Sequence, residues 1–254
     1  LKDLGSGQGK IKALTEKDIE DLMSTYYQFA SSYNGSLVRD KNYWQEKFIK
    51  DKLIKSKDLY LYGYYNDQRA LEGFLDYYLE DKIFQIRELI TVSLEAKKEL
   101  FNFIYKHRAQ ADQIRGYFPP DDNTMLILKM IKGSKNIKIP GKMARVVDVK
   151  KVLKIIPYDS NINYKYTIKV DDPWADWNNN IFSVDIINGK TNVEVVGEGA
   201  DINCDIRTFS QITLGFISLD EARQMGKLTI NNLNKFEIIK KLFKAKNTFI
   251  IDNF

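Results

Sequence analysis

Apolar residues recur at helical spacing in the first fifth of the chain and then switch to the alternation of strands. In TEKDIEDLMSTYYQFASSY, residues 15–33, the side chains of Ile19, Leu22, Met23, Tyr26 and Tyr27 fall on one helical face. Thr15, with Asp18 three residues on, supplies an N-cap and an acidic third position. GSLVRDKNYWQEKFIKDKL, residues 35–53, reads as a turn and then a second helix carrying Tyr43, Trp44 and Phe48. Three strand-like runs follow at 58–65, 70–79 and 82–92, separated by turn chemistry at Asn66-Asp67 and Glu80-Asp81. A helix over 94–106 starts after Ser93 as its N-cap, and a strand over 113–118 ends at Pro119-Pro120. This order contains a β–α–β step and describes an α/β unit.

Residues 132–140 (KGSKNIKIP) break the periodicity with Gly, Ser, Pro and basic residues, and mark a domain boundary. Beyond GKMARVVDVKKVLKII the pattern becomes richer in strands. Runs at 165–170, 181–187, 191–196 and 201–207 alternate, with Asn188-Gly189 as a hairpin signal. Helical spacing returns at 209–215, 218–224 and 232–244. The expectation is an α+β chain in two parts, 1–140 and 141–254. The first holds a mixed sheet with the β–α–β step, and the second a largely antiparallel sheet covered by helices.

Charge and composition narrow the functions this frame can serve. The chain of 254 residues carries 39 Lys and Arg against 34 Asp and Glu, a mild excess with no basic face of the kind that grips nucleic acid. The densest basic segment, 235–246, places Phe236, Ile239, Leu242 and Phe243 at helical spacing, so its lysines line the wet side of a docked helix. No apolar run approaches the ~20 residues that cross a bilayer, and no basic-then-apolar leader opens the chain. A cytoplasmic protein without membrane or nucleic-acid partners is the simplest expectation. Cys204 and His107 each occur once, too few for a zinc site. Cys204 lies in an alternating strand pattern and reads as a core or interface residue, and His107 as a helix-end or surface residue. GSGQGK at 5–10 lacks a preceding strand and has Ile11 where a phosphate loop needs Ser or Thr, so it reads as a linker. With Leu1 in place of an initiator Met, that linker-like start gives the expectation of a piece of a longer chain.

Several segments occur together in an order that carries a family likeness. They are GSLVRDKNYW, RELITVSLEAKKELFNFIYKHRAQADQIRGYFPPDD, KMARVVDVKKVL, FSVDIINGKTNVEVV and the closing TFIIDNF. Together they resemble the central and C-terminal parts of the enhanced-intracellular-survival type N-acetyltransferases. Those enzymes join two GNAT-like domains to a domain like sterol carrier protein. The resemblance implies a second, degenerate GNAT-like domain over 1–140 and a sterol-carrier-like domain over 141–254. It also implies that acetyl-CoA is bound by a first domain absent from these residues. The family's pyrophosphate loop needs backbone N–H groups at a helix N-terminus with no side chains in the way. Here the equivalent junction reads LITVSLEAKKEL, without the glycines, and Glu95 would repel the anion.

The same resemblance implies one chemical role in this chain. The C-terminal main-chain carboxylate, carried here by Phe254, acts as the base that helps deprotonate an amine substrate, with Asp252 adding negative potential for a cationic amine. A carboxylate is a weak base in water and a better one when partly buried. The family's proton donor is a tyrosine of the absent domain, so none of the 15 tyrosines inherits it; Tyr26, Tyr27, Tyr62, Tyr64 and Tyr65 read as packing residues. Hexamers are implied as the assembly, and no metal. On this reading the chain alone is inactive. Two alternatives stay open: a binding module in which Trp174, Trp177 and Phe182 line a cavity for an apolar ligand, and an oligomerisation fragment.

Overall fold

A computed structural model describes residues 4, 7–54, 57–128, 133–139, 141–243 and 246–252. Contacts divide the chain into two units, Leu1–Ile139 with Phe249–Phe254, and Pro140–Thr248.

In the first unit, Thr15 and Asp18 form a reciprocal capping box over a single 3-10 turn that leads into α1 (Ile19–Ala30). Ile19, Leu22 and Tyr26 of α1 turn inward, but Tyr27 is 73% exposed. Thr25 takes the inward place beside Tyr26, because its one hydroxyl proton is shared between the carbonyls of Leu71 (2.7 Å) and Asp21 (2.9 Å) and so is satisfied inside. The second helix, α2 (Lys41–Leu53), starts at Asp40, whose side chain caps Tyr43 N–H. Five strands follow the order β1 (Lys10–Ala13), β2 (Tyr60–Tyr65), β3 (Leu71–Glu80), β4 (Ile83–Thr91) and β5 (Gln113–Arg115). Neighbours are antiparallel except β4 and β5, which run parallel because α3 (Leu94–Lys106) crosses between them.

Strand β3 is buried without a break from Gly73 to Tyr77, because both sheet faces are covered. Phe74 and Ile90 meet Leu22, Tyr26 and Trp44 on one face, and Leu75 and Ile86 meet Ala96, Leu100 and Ile104 of α3 on the other. Strand β1 corrects the linker reading at its last residue, Lys10. Four residues with one half-buried Ile11 hold no readable period, and the strand exists because Tyr62–Tyr65 offers it an edge. Glycine Gly7 donates its N–H to Glu99 Oε1 at 2.6 Å, an acidic partner that leaves no anion cradle there.

The second unit begins its regular structure with α5 (Val149–Ile155), the fifth helix after the short α4 (Thr124–Ile127) of the first unit. Its sheet follows the order β10 (Leu228–Ile230), β9 (Ile202–Asp205), β6 (Tyr164–Asp171), β7 (Asn180–Ile187) and β8 (Lys190–Val196). Only β6 and β9 pair in parallel. Along β6, Tyr166, Ile168 and Val170 point into a core shared with α5, α6 (Ile206–Thr213) and α8 (Leu233–Leu242), while the residues between them face outward. Helix α7 (Leu219–Gln224) opens with a second capping box, Ser218 with Glu221.

The alternating run expected over 201–207 stops at Asp205, because that side chain accepts the Thr208 N–H and starts α6 one residue later. The MARVVDV segment is a clasp within this unit. Arg145 donates to both oxygens of the fully buried Asp172 (2.7 and 2.9 Å). Val146 N–H donates to Ser210, and Asn178 joins the Val147 carbonyl to the Val149 N–H. Residues 249–252, placed with the second part in the sequence reading, pack with the first unit instead.

Candidate functional site

The returning tail is held at three points along the segment between α1 and α2. Phe249 N–H donates to the Asn34 carbonyl (3.2 Å), and Ser36 Oγ donates to the Phe249 carbonyl (3.0 Å). The Phe249 ring packs edge-on against Phe29 and at a tilt against Tyr33. Three residues on, Asp252 meets Arg39. The guanidinium donates to Asp252 Oδ1 through Nε (3.1 Å), and with its terminal nitrogens to both oxygens of Glu88 on β4. Tyr43 Oη donates to the same Asp252 oxygen at 2.6 Å.

All three charged side chains are buried, Arg39 and Asp252 at 6% exposure and Glu88 at 5%. Burial alone would weaken the Arg39 charge, but the Glu88 carboxylate outweighs it and the guanidinium stays protonated. The Tyr26 ring lies 3.9 Å below the guanidinium, and burial, with Asp252 and Glu88 nearby and Arg39 opposing, pushes its hydroxyl up to about 12. Asp252 is therefore paired with a cation that it shares with Glu88. Phe254 itself lies outside the described residues.

A cleft of about 330 Å³ has Phe29 and Tyr33, the two rings that Phe249 packs on, in its lining. Phe29 and Tyr33 wall it on one side, Leu89, Thr91 and Val92 at the end of β4 form its floor, and Phe118 with Asp121–Asn123 closes it. Tyr33 Oη donates to Asp121 (3.1 Å) and Lys97 pairs with Asp122 (2.7 Å). At the adjoining N-terminus of α3, Ser93 Oγ accepts the Ala96 N–H and itself donates to Glu72. Glu95 in the first turn accepts from Tyr64 Oη (2.6 Å). The cap is filled by side chains and flanked by carboxylates, so these residues do not fit a pyrophosphate, which needs open N–H groups there.

The remaining candidates disperse. Cys204 is buried in the second unit's core, and burial pushes its thiol up to about 12, the opposite of an activated nucleophile. His107 ends α3 half-buried against Tyr77, Phe84 and Phe103. Trp174 is 82% exposed, Trp177 is exposed as well and donates to the Val147 carbonyl, and Phe182 is core. The three do not line one cavity. Among the described residues no three His, Cys, Asp or Glu side chains gather as a metal-binding group, and no helix is long and apolar enough to cross a membrane. Arg39 and Glu88 were missed by the sequence reading.

Residues 35–146 match the model of the acetyltransferase (GNAT) domain, and residues 149–251 that of the sterol carrier protein domain. The chain joins a GNAT acetyltransferase domain to a sterol carrier protein domain. No curated protein matches it. Among solved structures, a probable N-acyltransferase of Enterococcus faecalis shares the fold with a TM-score of 0.82 at 23% identity, over 99% of this chain and 64% of its own. A GCN5-related N-acetyltransferase of Anabaena variabilis follows at 0.78 and 21%, over 99% and 65%. Eis1 of Mycobacterium abscessus matches at 0.68 and 18%, over 100% and 64%. The chain thus spans about two-thirds or slightly less of the length of each. The cleft sits where β4 meets α3, a junction within the residues that match the GNAT domain, and the tail packs on Phe29 and Tyr33 of its wall.

Proposed function

We propose that this chain works within an acetyl-CoA-dependent N-acetyltransferase acting on amines. It supplies the scaffold, walls of the substrate pocket and the C-terminal carboxylate of Phe254 as the base that removes a proton from the amine. Acetyl-CoA is held by a domain outside these 254 residues, since the α3 cap here is closed to a pyrophosphate by Ser93, Glu72 and Glu95. The observation that carries the reading is the docked tail. Phe249–Asp252 is pinned by hydrogen bonds, aromatic packing and a buried ion pair, which is more anchoring than an idle terminus needs. Assembly as a homo-oligomer, a hexamer by resemblance, belongs to the same reading. The alternative of an apolar-ligand module draws no support from Trp174 and Trp177, which face solvent.

The test is a set of tail variants in the full-length enzyme. One added Gly after Phe254 moves the terminal charge by up to about 3.6 Å. Since misplacing a reacting group by about 1 Å can cost on the order of 100-fold, the extension and a Phe254 deletion should both lower kcat steeply with little change in melting temperature. Phe254→Leu keeps the carboxylate and should be mild. Parental kcat in the Gly-extended enzyme would remove Phe254 from the chemistry.

A further inference from the structure

Three kinds of contact hold the tail, and they differ in what they can specify: backbone hydrogen bonds at Phe249, which fix that one residue against Asn34 and Ser36, ring packing, and the side-chain contact at Asp252. The Phe249 ring against Phe29 and Tyr33 is apolar docking, which is non-directional and tolerates sliding. The Asp252 contact is directional. One oxygen, Oδ1, receives Arg39 Nε (3.1 Å), a terminal Arg39 nitrogen (2.9 Å) and Tyr43 Oη (2.6 Å). The other, Oδ2, is buried with no hydrogen-bond partner among the described residues, so the contacts described converge on one oxygen and orient the carboxylate.

Arg39 is itself immobilised. Its remaining donors fork onto Glu88, which stands opposite Asp76 in the β3–β4 register at the centre of the sheet. Its guanidinium lies over the Tyr26 ring and 5.0 Å from that of Tyr43. Arg39 is therefore a rigid bridge from the sheet to the tail, and from Asp252 to Phe254 is two residues, at most about 7 Å of extended chain.

We propose that Arg39 is the positioning residue for the terminal carboxylate: by clamping Asp252 against the Glu88-bearing sheet, three residues beyond the backbone hydrogen bonds of Phe249, it fixes the course of the tail's last residues and so the place of the base. The inference rests on the reading of Phe254 as that base. It assigns to the GNAT domain, through Arg39, the placing of a group that follows the sterol carrier domain in sequence.

The experiment uses Asp252→Ala in the full-length enzyme, because Arg39 keeps Glu88 as partner there and the sheet retains its ion pair. Hydrogen exchange at the Phe249 amide, protected in the parent by the Asn34 carbonyl, should quicken ~10- to 100-fold, the ratio that corresponds to losing a hydrogen bond to a charged group. The kcat should fall by about 10- to 100-fold with KM within about 3-fold, the split expected when a reacting group is misplaced rather than binding weakened. Asp252→Asn keeps an acceptor oxygen for Arg39 and Tyr43 and should recover most of both. Should Asp252→Ala melt early, Tyr43→Phe removes a single hydrogen bond to Oδ1 and is read the same way.

Parental exchange and parental kcat in these variants, while the Gly extension still lowers kcat, would overturn the role of Arg39 and leave the reading of Phe254 standing. A Gly-extended enzyme at parental kcat would end that reading, and the role of Arg39 with it, whatever the exchange rates.

Discussion

Arg39 sits in the irregular segment ahead of α2, where a lone arginine carries no signal of importance. Its partners are Glu88, 49 positions away, and Asp252, 213 positions away. Arg39 is the one cation between these two buried carboxylates, so removing it leaves Glu88 and Asp252 uncompensated out of water. Arg39→Ala should accordingly destabilise the first unit by about 3–5 kcal/mol, read by urea unfolding, whereas replacing exposed Lys50 or Glu46, which pair on the surface of α2, should change little. A second buried carboxylate, Asp172, offers a pH prediction. Burial acts to raise it, but hydrogen bonds from Asn178 and the Trp174 N–H, with the charge of Arg145, outweigh that and hold it below its ordinary 3.8. Asp201 is likewise held low, against burial, by Lys235 and Thr167. A carboxyl that titrates lower folded than unfolded adds stability above its unfolded value and loses it as pH falls through the folded one. Melting temperature should therefore drop as pH falls below about 4, and Asp172→Asn should flatten that drop in melts taken across the range. An unchanged slope would mean Asp172 titrates normally.

Among the elements, the longest and best capped were the most legible. Thr15 with Asp18, Ser93, Ser218 and Asn232 each accept a backbone N–H at a helix start, because a short polar side chain before an apolar period satisfies donors the helix cannot; Asp205 does the same for α6 but sits in a run that alternates like a strand. The two tight hairpins contrast. Asn188-Gly189, with φ of 51° and 74°, carries the residues such a turn favours, while Asp81-Lys82, at 48° and 60°, does not. There the pairing of Glu80 with Ile83 imposes the turn. Strands β1 and β10 and helix α4, three or four residues each, were not legible. They hold less than a period of pattern and exist through their neighbours. At Gly189 an added Cβ would stand 3.0 Å from the carbonyls of Tyr158 and Asp159 and from Ser160 Cα. Gly189→Ala should cost about 1–3 kcal/mol by strain, plus that crowding. Gly199→Ala, also at positive φ but with open space around it, isolates the strain alone. Chemical denaturation of the two variants compares them, and equal losses would show that the Asp159 loop yields.

For the molecule as a whole, the closed α3 cap carries the functional consequence. With Ser93, Glu72 and Glu95 at that junction, calorimetry of the 254-residue chain should show no stoichiometric, micromolar binding of acetyl-CoA; such binding would place the cofactor in this GNAT domain after all. The sequence alone determined the α+β class, the starts of the best-capped helices, the β–α–β step and the absence of glycines at the start of α3, because periodicity, caps and glycine spacing act over a few residues and leave their mark within that span. Tertiary structure alone decided that the tail returns to the first unit, that Asp252 meets Arg39, that Tyr27, Trp174 and Trp177 face solvent, and that MARVVDV is a clasp around Asp172. Each of these pairs groups far apart in sequence. A buried charge selects its partner by distance in the folded chain, and no local pattern encodes a separation of 213 residues.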